Sequence, residues 1–341
     1  MNITSGMDTL THIVLGACIG EAIAGKQLGK KALFIGAVAQ CIPDIDFVAS
    51  FWLPTSGDVL AHRGFTHSFL FMILVTPLLA MLSAKWFKGT MTMKRWILFW
   101  GLQIFIHLFI DAFNAYGTGL FEPFSHYRVS FNTMFVADPL FSIWPAIALI
   151  ALLVLKTSSN NRKIWVRVGL GLSSIYLLSG IAFKLFIDNT AKKDLHNRNF
   201  VFNSYFSTPT PFNNLLWYIV AQNDSGYYTG YRSVFDKKTT IDLHYVYRND
   251  SLLKYASNKE DLDHLLRFSQ GFYTAERWHD TVVFNDMRFG EINGWDEPHP
   301  RFVFYYYLQY PDNNKMIVQR GRFAKWDKHV LGLFSERIKG N

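Results

Sequence analysis

Cysteine is scarce in this chain. Its 341 residues contain only Cys18 and Cys41, and no CxxC pair. That excludes thiolate zinc sites and a disulfide scaffold. Both cysteines fall in apolar helical segments, where two small buried thiols fit better than a bridge between them. A basic n-region is missing at the start, and Asp8 and His12 interrupt the first apolar segment, which argues against an ordinary secretory signal peptide. Long apolar runs are missing from the second half: beyond residue 187 none approaches membrane length. Lysine and arginine are almost missing from two connections. Residues 43–65 hold only Arg63, and residues 117–138 hold only Arg128.

Half of the residues are hydrophobic and 17% are aromatic. The mean hydropathy is nevertheless only slightly positive, which fits an apolar half joined to a polar one. The length allows two domains. A bilayer span needs about 20 mostly apolar residues. Residues 66–84, 96–116, 139–155 and 166–187 meet or approach that length. Two shorter segments, 11–24 and 32–42, precede them as an embedded hairpin or two tight spans. Pro77 predicts a kink in the first long segment. The expected fold is mainly α: a polytopic membrane helical bundle of four long spans plus a shorter N-terminal helical pair (1–187), followed by a soluble α+β domain (188–341).

The formal charge of +8 is distributed as a topology signal rather than a nucleic-acid footprint, so no nucleic-acid partner is expected. Lys26, Lys30 and Lys31 follow the first segment. Lys85, Lys88, Lys94 and Arg95 follow the third, and Lys156, Arg162, Lys163 and Arg167 follow the fifth. The positive-inside rule puts these loops in the cytoplasm. Six crossings then put both termini and the C-terminal half outside a multi-pass inner or plasma membrane protein.

Against that topology, polar residues gather at one end of the helices. Asp8 and His12 lie four apart on one helical face. Asp44 and Asp46 follow the helix stop at Pro43, and in an extended stretch they point the same way. His62 and His67, in "HRGFTHS", flank Gly64, which permits a turn between them. His107 and Asp111 lie four apart in "HLFIDAFNAYG", with Gln103 one turn earlier. Four carboxylates and four imidazoles suit a divalent metal, zinc first, and exceed the needs of one ion, so one to three are expected. Two ions can clamp the attacking and leaving oxygens of a phosphoryl displacement. His107 with Asp111 alone reads equally well as a structural pair, and the same spacing occurs in zinc transporters. The convergence of four pairs favours a metal site. Glu21 lies toward the opposite helix end and is left out.

"MDTLTH…G", "PDID", "HRGFTHS" and "HLFIDAFNAYG", in this order over residues 7–140, resemble the membrane-bound metal-dependent hydrolases, the YdjM-like family. "ADPLF" around Asp138 and "FNDMRFG" around Asp286 also look like family features. The family is in turn distantly similar to the zinc-dependent phospholipase C and P1 nuclease group. The resemblance implies metal ligation by His12, Asp44 or Asp46, His62 or His67, His107 and Asp111. Asp8 is added from its spacing to His12, and His126 is a further candidate. It implies hydrolysis of a phosphate ester by metal-activated water, with Asp44 or Asp46 orienting the water and Arg63 and Arg128 pairing with phosphate. Thr66 and Ser68 read as helix caps or as supports for the ligands, capping being favoured. The membrane location implies an amphiphilic phosphate-containing substrate, a phospholipid or lipid-linked phosphate, beside the lipid bilayer itself. The competing readings are a metal-ion transporter or a non-catalytic metal-binding protein.

In the second half, "TTIDLHYVY", "TVVFND" and "RFVFYYYLQY" predict strands. "SNKEDLDHLLRF" predicts a helix with a Ser257/Glu260 capping box and Leu262, Leu265 and Leu266 on one face. "DMRFG" around Asp286 reads first as an ordinary strand-end salt bridge, with contact to the metal site as the alternative. His196, His244, His264, His279, His299 and His329 lack ligand spacing and read as surface or structural.

Overall fold

The computed structural model describes residues 3–297, 300–314, 317, 321–324 and 326–340, with side chains from Thr9 onward. His299 and the Asp8 side chain lie outside the described residues. Two compact units form. The first runs to Ala49 and includes Ala61–Phe131 and Val136–Ser179; the second takes Ser50–Leu60, Asn132–Phe135 and the chain from Gly180 onward.

The helices are α1 (Ile3–Leu28), α2 (Lys31–Gln40), α3 (Thr55–Ala61), α4 (Phe69–Trp86), α5 (Met93–Asp111), α6 (Pro139–Val154) and α7 (Asn161–Asn197). Local chemistry sets the starts of three of them. Ser68 accepts a hydrogen bond from the Phe71 amide, Thr92 from that of Arg95 and Asp138 from that of Leu140, which satisfies otherwise orphaned N–H groups. Ser68 is therefore a cap, as expected, and α4 continues as one helix through Pro77. By length and composition, α4, α5 and α7 can cross a membrane. A fourth span results if α2 and the following 3-10 turn, Pro43–Phe51, bent by 55°, count as one. α6 is shorter, at 16 residues. At a rise of about 1.5 Å per residue it reaches roughly 24 Å, less than the ~30 Å hydrocarbon layer.

The hairpin of α1 and α2 is held by close backbone approach rather than large side chains. A Cβ on Gly36 would lie 2.2 Å from the Gly16 carbonyl oxygen and 2.9 Å from Gly20 Cα. Among apolar helices, where lipid is as good a solvent as leucine, such small-residue contact is what lets dispersion hold two helices together. Ala24, Leu28, Ala32 and Ala39 of this hairpin pack on Ala80, Trp96, Phe99 and Trp100 of α4 and α5. Several polar side chains inside the bundle are paired. Trp100 Nε1 donates to Ser83 Oγ at 2.9 Å, and Gln103 Nε2 to the Gly16 carbonyl at 3.0 Å. Glu21 meets Arg162 at 2.7 Å, and Arg162 also donates to the Leu152 carbonyl at 2.6 Å, so that pair ties α1 to α6 and α7.

In the second unit, β1 (Ser204–Pro209), β2 (Leu216–Gln222), β3 (Gly226–Ser233) and β4 (Leu243–Tyr247) form an antiparallel sheet in sequential order. After α8 (Lys259–Phe268), β5 (Tyr273–Trp278), β6 (Thr281–Glu291) and β7 (Phe302–Tyr307) form a second antiparallel sheet, and α9 (Lys328–Lys339) follows. Phe206, Tyr218, Val220, Tyr227, Met287 and Phe302 share one core with Phe334 of α9. The expected strands and α8 are present, but the cap of α8 is Asn258. Its side chain accepts from the Glu260 and Asp261 amides, while Ser257 Oγ donates to the Leu308 carbonyl. Asp286 and Arg288 pair at 2.6 Å in the middle of β6 rather than at its end.

Replacing Gly36 with Leu is expected to destabilise the first unit by about 1–3 kcal/mol through overpacking. Thermal unfolding in detergent checks this; an unchanged midpoint would contradict the close α1–α2 contact.

Candidate metal centre

The site is built from the end of α5 outward. His107 and Asp111, one helical turn apart, bring Nε2 and Oδ2 to 3.4 Å. The chain leaving α2 is stopped by Pro43 and winds into the 3-10 turn. At about three residues per turn, positions two apart differ in direction by roughly 120°. Asp44 and Asp46 therefore part company, contrary to the extended geometry expected from the sequence. Asp44 turns to His67 and His107, while Asp46 turns behind His67. The link from α3 to α4 delivers His67. Its left-handed residue is Arg63, at φ +57°, and not Gly64, whose φ is −89°. That strained turn aims the Arg63 amide at Asp46 Oδ2, 2.8 Å away.

Four donor atoms meet. His67 Nε2 lies 3.0 Å from His107 Nε2, 3.2 Å from Asp111 Oδ2 and 3.6 Å from Asp44 Oδ1. His107 Nε2 lies 3.5 Å from Asp44 Oδ1. All four donors fall within 4.8 Å of one another. A tetrahedral ion with bonds of about 2.0–2.1 Å holds its donors roughly 3.3–3.4 Å apart, so the spacing is that of a ligand set.

The surrounding groups fix which nitrogens face inward. His107 Nδ1 donates to the Gln40 carbonyl at 2.5 Å. His67 Nδ1 sits 3.3 Å from Asp46 Oδ2 and 3.1 Å from Thr66 Oγ1. Each ring thus has its Nδ1 proton engaged and turns an Nε2 lone pair toward the other ring, an arrangement that asks for a cation between them. Asp111 Oδ2, fully buried, has no hydrogen-bond partner. Its other oxygen takes His12 Nε2 at 3.1 Å and Arg63 Nη2 at 3.2 Å. His12 also stacks on His107 with centroids 3.9 Å apart.

Charge gives the same answer. Asp44, Asp46 and Asp111 face one guanidinium, that of Arg63, leaving two negative charges among the described residues. A divalent cation with neutral imidazoles balances them, and an unbalanced buried charge is costly. Burial alone would lower the His67 pKa, yet the carboxylates of Asp111, Asp44 and Asp46, close around the ring, raise it well above the ordinary range. A proton therefore occupies the same electrostatic well as a metal would.

Of the residues expected from the sequence, Asp44, His67, His107 and Asp111 form the donor set. Asp46 and His12 buttress it. His62, with its side chain 37% exposed, places Nδ1 3.2 Å from Asp46 Oδ1 and stands outside the set. Arg63, expected at substrate phosphate, is buried and donates to Asn114 Oδ1 at 2.8 Å as well as pairing with Asp111. Arg128 is likewise turned inward, to the His62 and Gly117 carbonyls. His126 is exposed and meets Glu122 at 2.9 Å. Sequence reasoning missed Gln40 and Asn114. Gln40, fully buried in the apolar helix α2, carries the same signal as any polar residue in hydrocarbon.

Residues 7–187 match the family model described as YdjM inner membrane protein. The inner membrane protein YbcI of Escherichia coli (strain K12) is 30% identical over 111 residues, 33% of this chain and 63% of that protein. The uncharacterized protein YfhP of Bacillus subtilis (strain 168) is 30% identical over 141 residues, 39% of this chain and 42% of that one. The chain thus spans less than two thirds of either relative. No solved structure matches. These similarities support the YdjM-like reading and not the more distant likeness to phospholipase C.

Replacing Asp111 or His107 with Ala is expected to abolish metal retention by the purified protein. His12→Ala should retain the metal with affinity weakened about 10–100-fold, the usual effect of losing a partner that orients a ligand. Elemental analysis and competitive chelator titration separate these outcomes; full metal content in Asp111→Ala would contradict the assignment. Affinity should also fall as the pH is lowered, because the raised His67 pKa makes the proton a strong competitor. A pH-independent affinity between neutral and mildly acidic buffers would count against His67 as a ligand.

Proposed function

The chain belongs to the YdjM inner membrane protein family, and on that footing we propose that it is a metal-dependent hydrolase of phosphate esters working at the outer membrane face. The observation that carries the proposal is the donor set itself. Two imidazoles and two carboxylates stand at ligand spacing, and Asp44, with its side chain 24% exposed, lies on the side that solvent reaches. Asp44, His67, His107 and Asp111 would hold a divalent ion, zinc first. When bound, such an ion lowers the pKa of water and offsets negative charge on a phosphoryl group.

The chain's own residues supply the rest. Asp44 is placed to accept the proton of the attacking water, because the oxygens of Asp46 are engaged by the Arg63 amide, His62 and His67. His62, oriented by Asp46 through Nδ1, turns its other nitrogen away from that carboxylate and can deliver a proton to the leaving oxygen. Arg63 acts as a positioning residue for Asp111 rather than as a phosphate contact.

The outer-face assignment rests on the basic loops. Lys94 and Arg95 open α5, whereas His107 and Asp111 close it. The Lys26 end of α1 and the Arg162 start of α7 carry charge of the same sign. Counting α1, α6 and the bent α2 pair as crossings beside α4, α5 and α7 yields six. An amphiphilic phosphate ester suits this location. Phe47, next to Asp46, and Phe65, two residues before His67, are both exposed beside the site, which favours contact with lipid chains. A site near one helix end fits an enzyme better than a transporter, which holds its cargo near the midplane with a path through it.

Purified metal-loaded protein is expected to release phosphate or a phosphorylated headgroup from a lipid phosphodiester panel, and Asp111→Ala should abolish this. His62→Ala should lower kcat by about 10²–10⁴-fold, the usual worth of a positioned acid, with metal content unchanged. Metal-loaded protein that turns over no ester but moves the ion into vesicles would overturn the proposal in favour of transport.

A further inference from the structure

In the second unit, β4 and β5 are the facing edge strands of the two sheets. They are tied at one end, where the Ala275 amide donates to the Arg248 carbonyl at 3.0 Å and Thr274 Oγ1 donates to the Tyr247 carbonyl at 2.6 Å. From there they open into a cleft of about 430 Å³, whose lining includes His244, Tyr247, Glu276, Trp278, Glu291 and Arg301.

Two carboxylates stand in this cleft. Glu291, almost fully buried, accepts from Tyr231 Oη at 3.0 Å and lies 3.1 Å from His244 Nε2. Glu276 accepts from Trp278 Nε1 at 2.8 Å. Burial raises the Glu276 pKa and the nearby Glu291 raises it further, against the opposing effects of Trp278 and Arg301. Asn285 pairs with Thr274 across the sheet and therefore shares the face that carries Glu276 and Trp278. It is fully buried beside Glu276, whose carboxylate its side chain stabilises. The Arg301 guanidinium lies over the Trp278 ring, 4.6 Å from its centroid. A cation thus already rests on the aromatic wall of the cleft, supplied by an exposed side chain of the chain itself.

Among the described residues, the carboxylates and His244 do not close to metal-ligand spacing, which only the Asp44 cluster reaches. The cleft is too open for one inorganic ion and has the volume of a small organic ligand. Its two carboxylates outnumber its one guanidinium, and its wall is aromatic, the combination that recognises an ammonium group. We propose that this cleft is a second ligand site, separate from the metal centre, that takes an organic ammonium group in the place over Trp278 where Arg301 now lies. Glu276 and Glu291 neutralise the ligand charge, and Trp278 supplies its face.

The test uses the full chain in detergent and isothermal titration with choline, with ethanolamine, and with the uncharged isostere of choline in which carbon replaces the ammonium nitrogen. Both cations should bind and the isostere should not. Glu276→Gln should weaken binding at least about tenfold, the worth of one such contact. Arg301→Ala alters an exposed side chain and should tighten binding by removing the internal competitor. Co-flotation with phosphatidylethanolamine vesicles, against phosphatidylglycerol vesicles, distinguishes a lipid headgroup from a free amine as the source; preference for either form supports the ammonium site. Equal binding of the isostere, binding of a neutral sugar in place of the cations, or no cation binding to either the wild type or Arg301→Ala would overturn it.

Discussion

The first unit depends on one electrostatic requirement. Among the described residues, Asp44, Asp46 and Asp111 gather at one end of an apolar helical bundle, and one guanidinium, that of Arg63, pairs with them. Taking charges out of water costs several kcal/mol per ion in real proteins, and only close pairing recovers it. Asp111 shows how the pairing is arranged. One of its oxygens is held by His12 and Arg63, and the other is left facing His67 and His107. A bundle folded around that open oxygen is folded around a place for positive charge.

Several features far apart in the chain make sense as service to that place. The glycine contact between α1 and α2 brings His12 and Gln40 within reach of one another. Gln40 then uses its carbonyl to orient His107 and its side chain to steady His12. The left-handed Arg63 bends the chain so that its amide holds Asp46 and its guanidinium holds Asp111. Gly119 leaves room for this bend: its amide donates to the Arg63 carbonyl at 2.8 Å, and a Cβ there would lie 3.2 Å from that carbonyl oxygen. The strain at Arg63 is therefore offset by contacts from three sides. The half-exposed His62, next to this strained turn, is left to face solvent.

Much of this was legible in the sequence, and the reasons for the misses are physical. The apolar helices follow from composition, and the convergence of His and Asp at one helix end follows from their spacing and from the charged loops. His107 with Asp111 needed only the helical period. The division of labour was not legible. Asp44 and Asp46 look alike in "PDID", and only the 3-10 winding of that stretch separates a member of the donor cluster from the carboxylate behind it. Arg63 resembles a phosphate contact because a guanidinium before a histidine invites that reading. Its inward turn depends on a left-handed backbone that no local pattern announces at a non-glycine residue. The capping of α8 shifted by one residue for a similar reason, since Ser257 had a competing partner in the Leu308 carbonyl.

The central claim is that two imidazoles and two carboxylates share one ion. X-ray absorption at the metal edge of the purified, metal-loaded protein tests it directly. The expected spectrum shows a shell of nitrogen and oxygen donors at about 2.0–2.1 Å with the outer-shell scattering of two imidazole rings. A sulfur donor, or an all-oxygen shell without imidazole scattering, would contradict it.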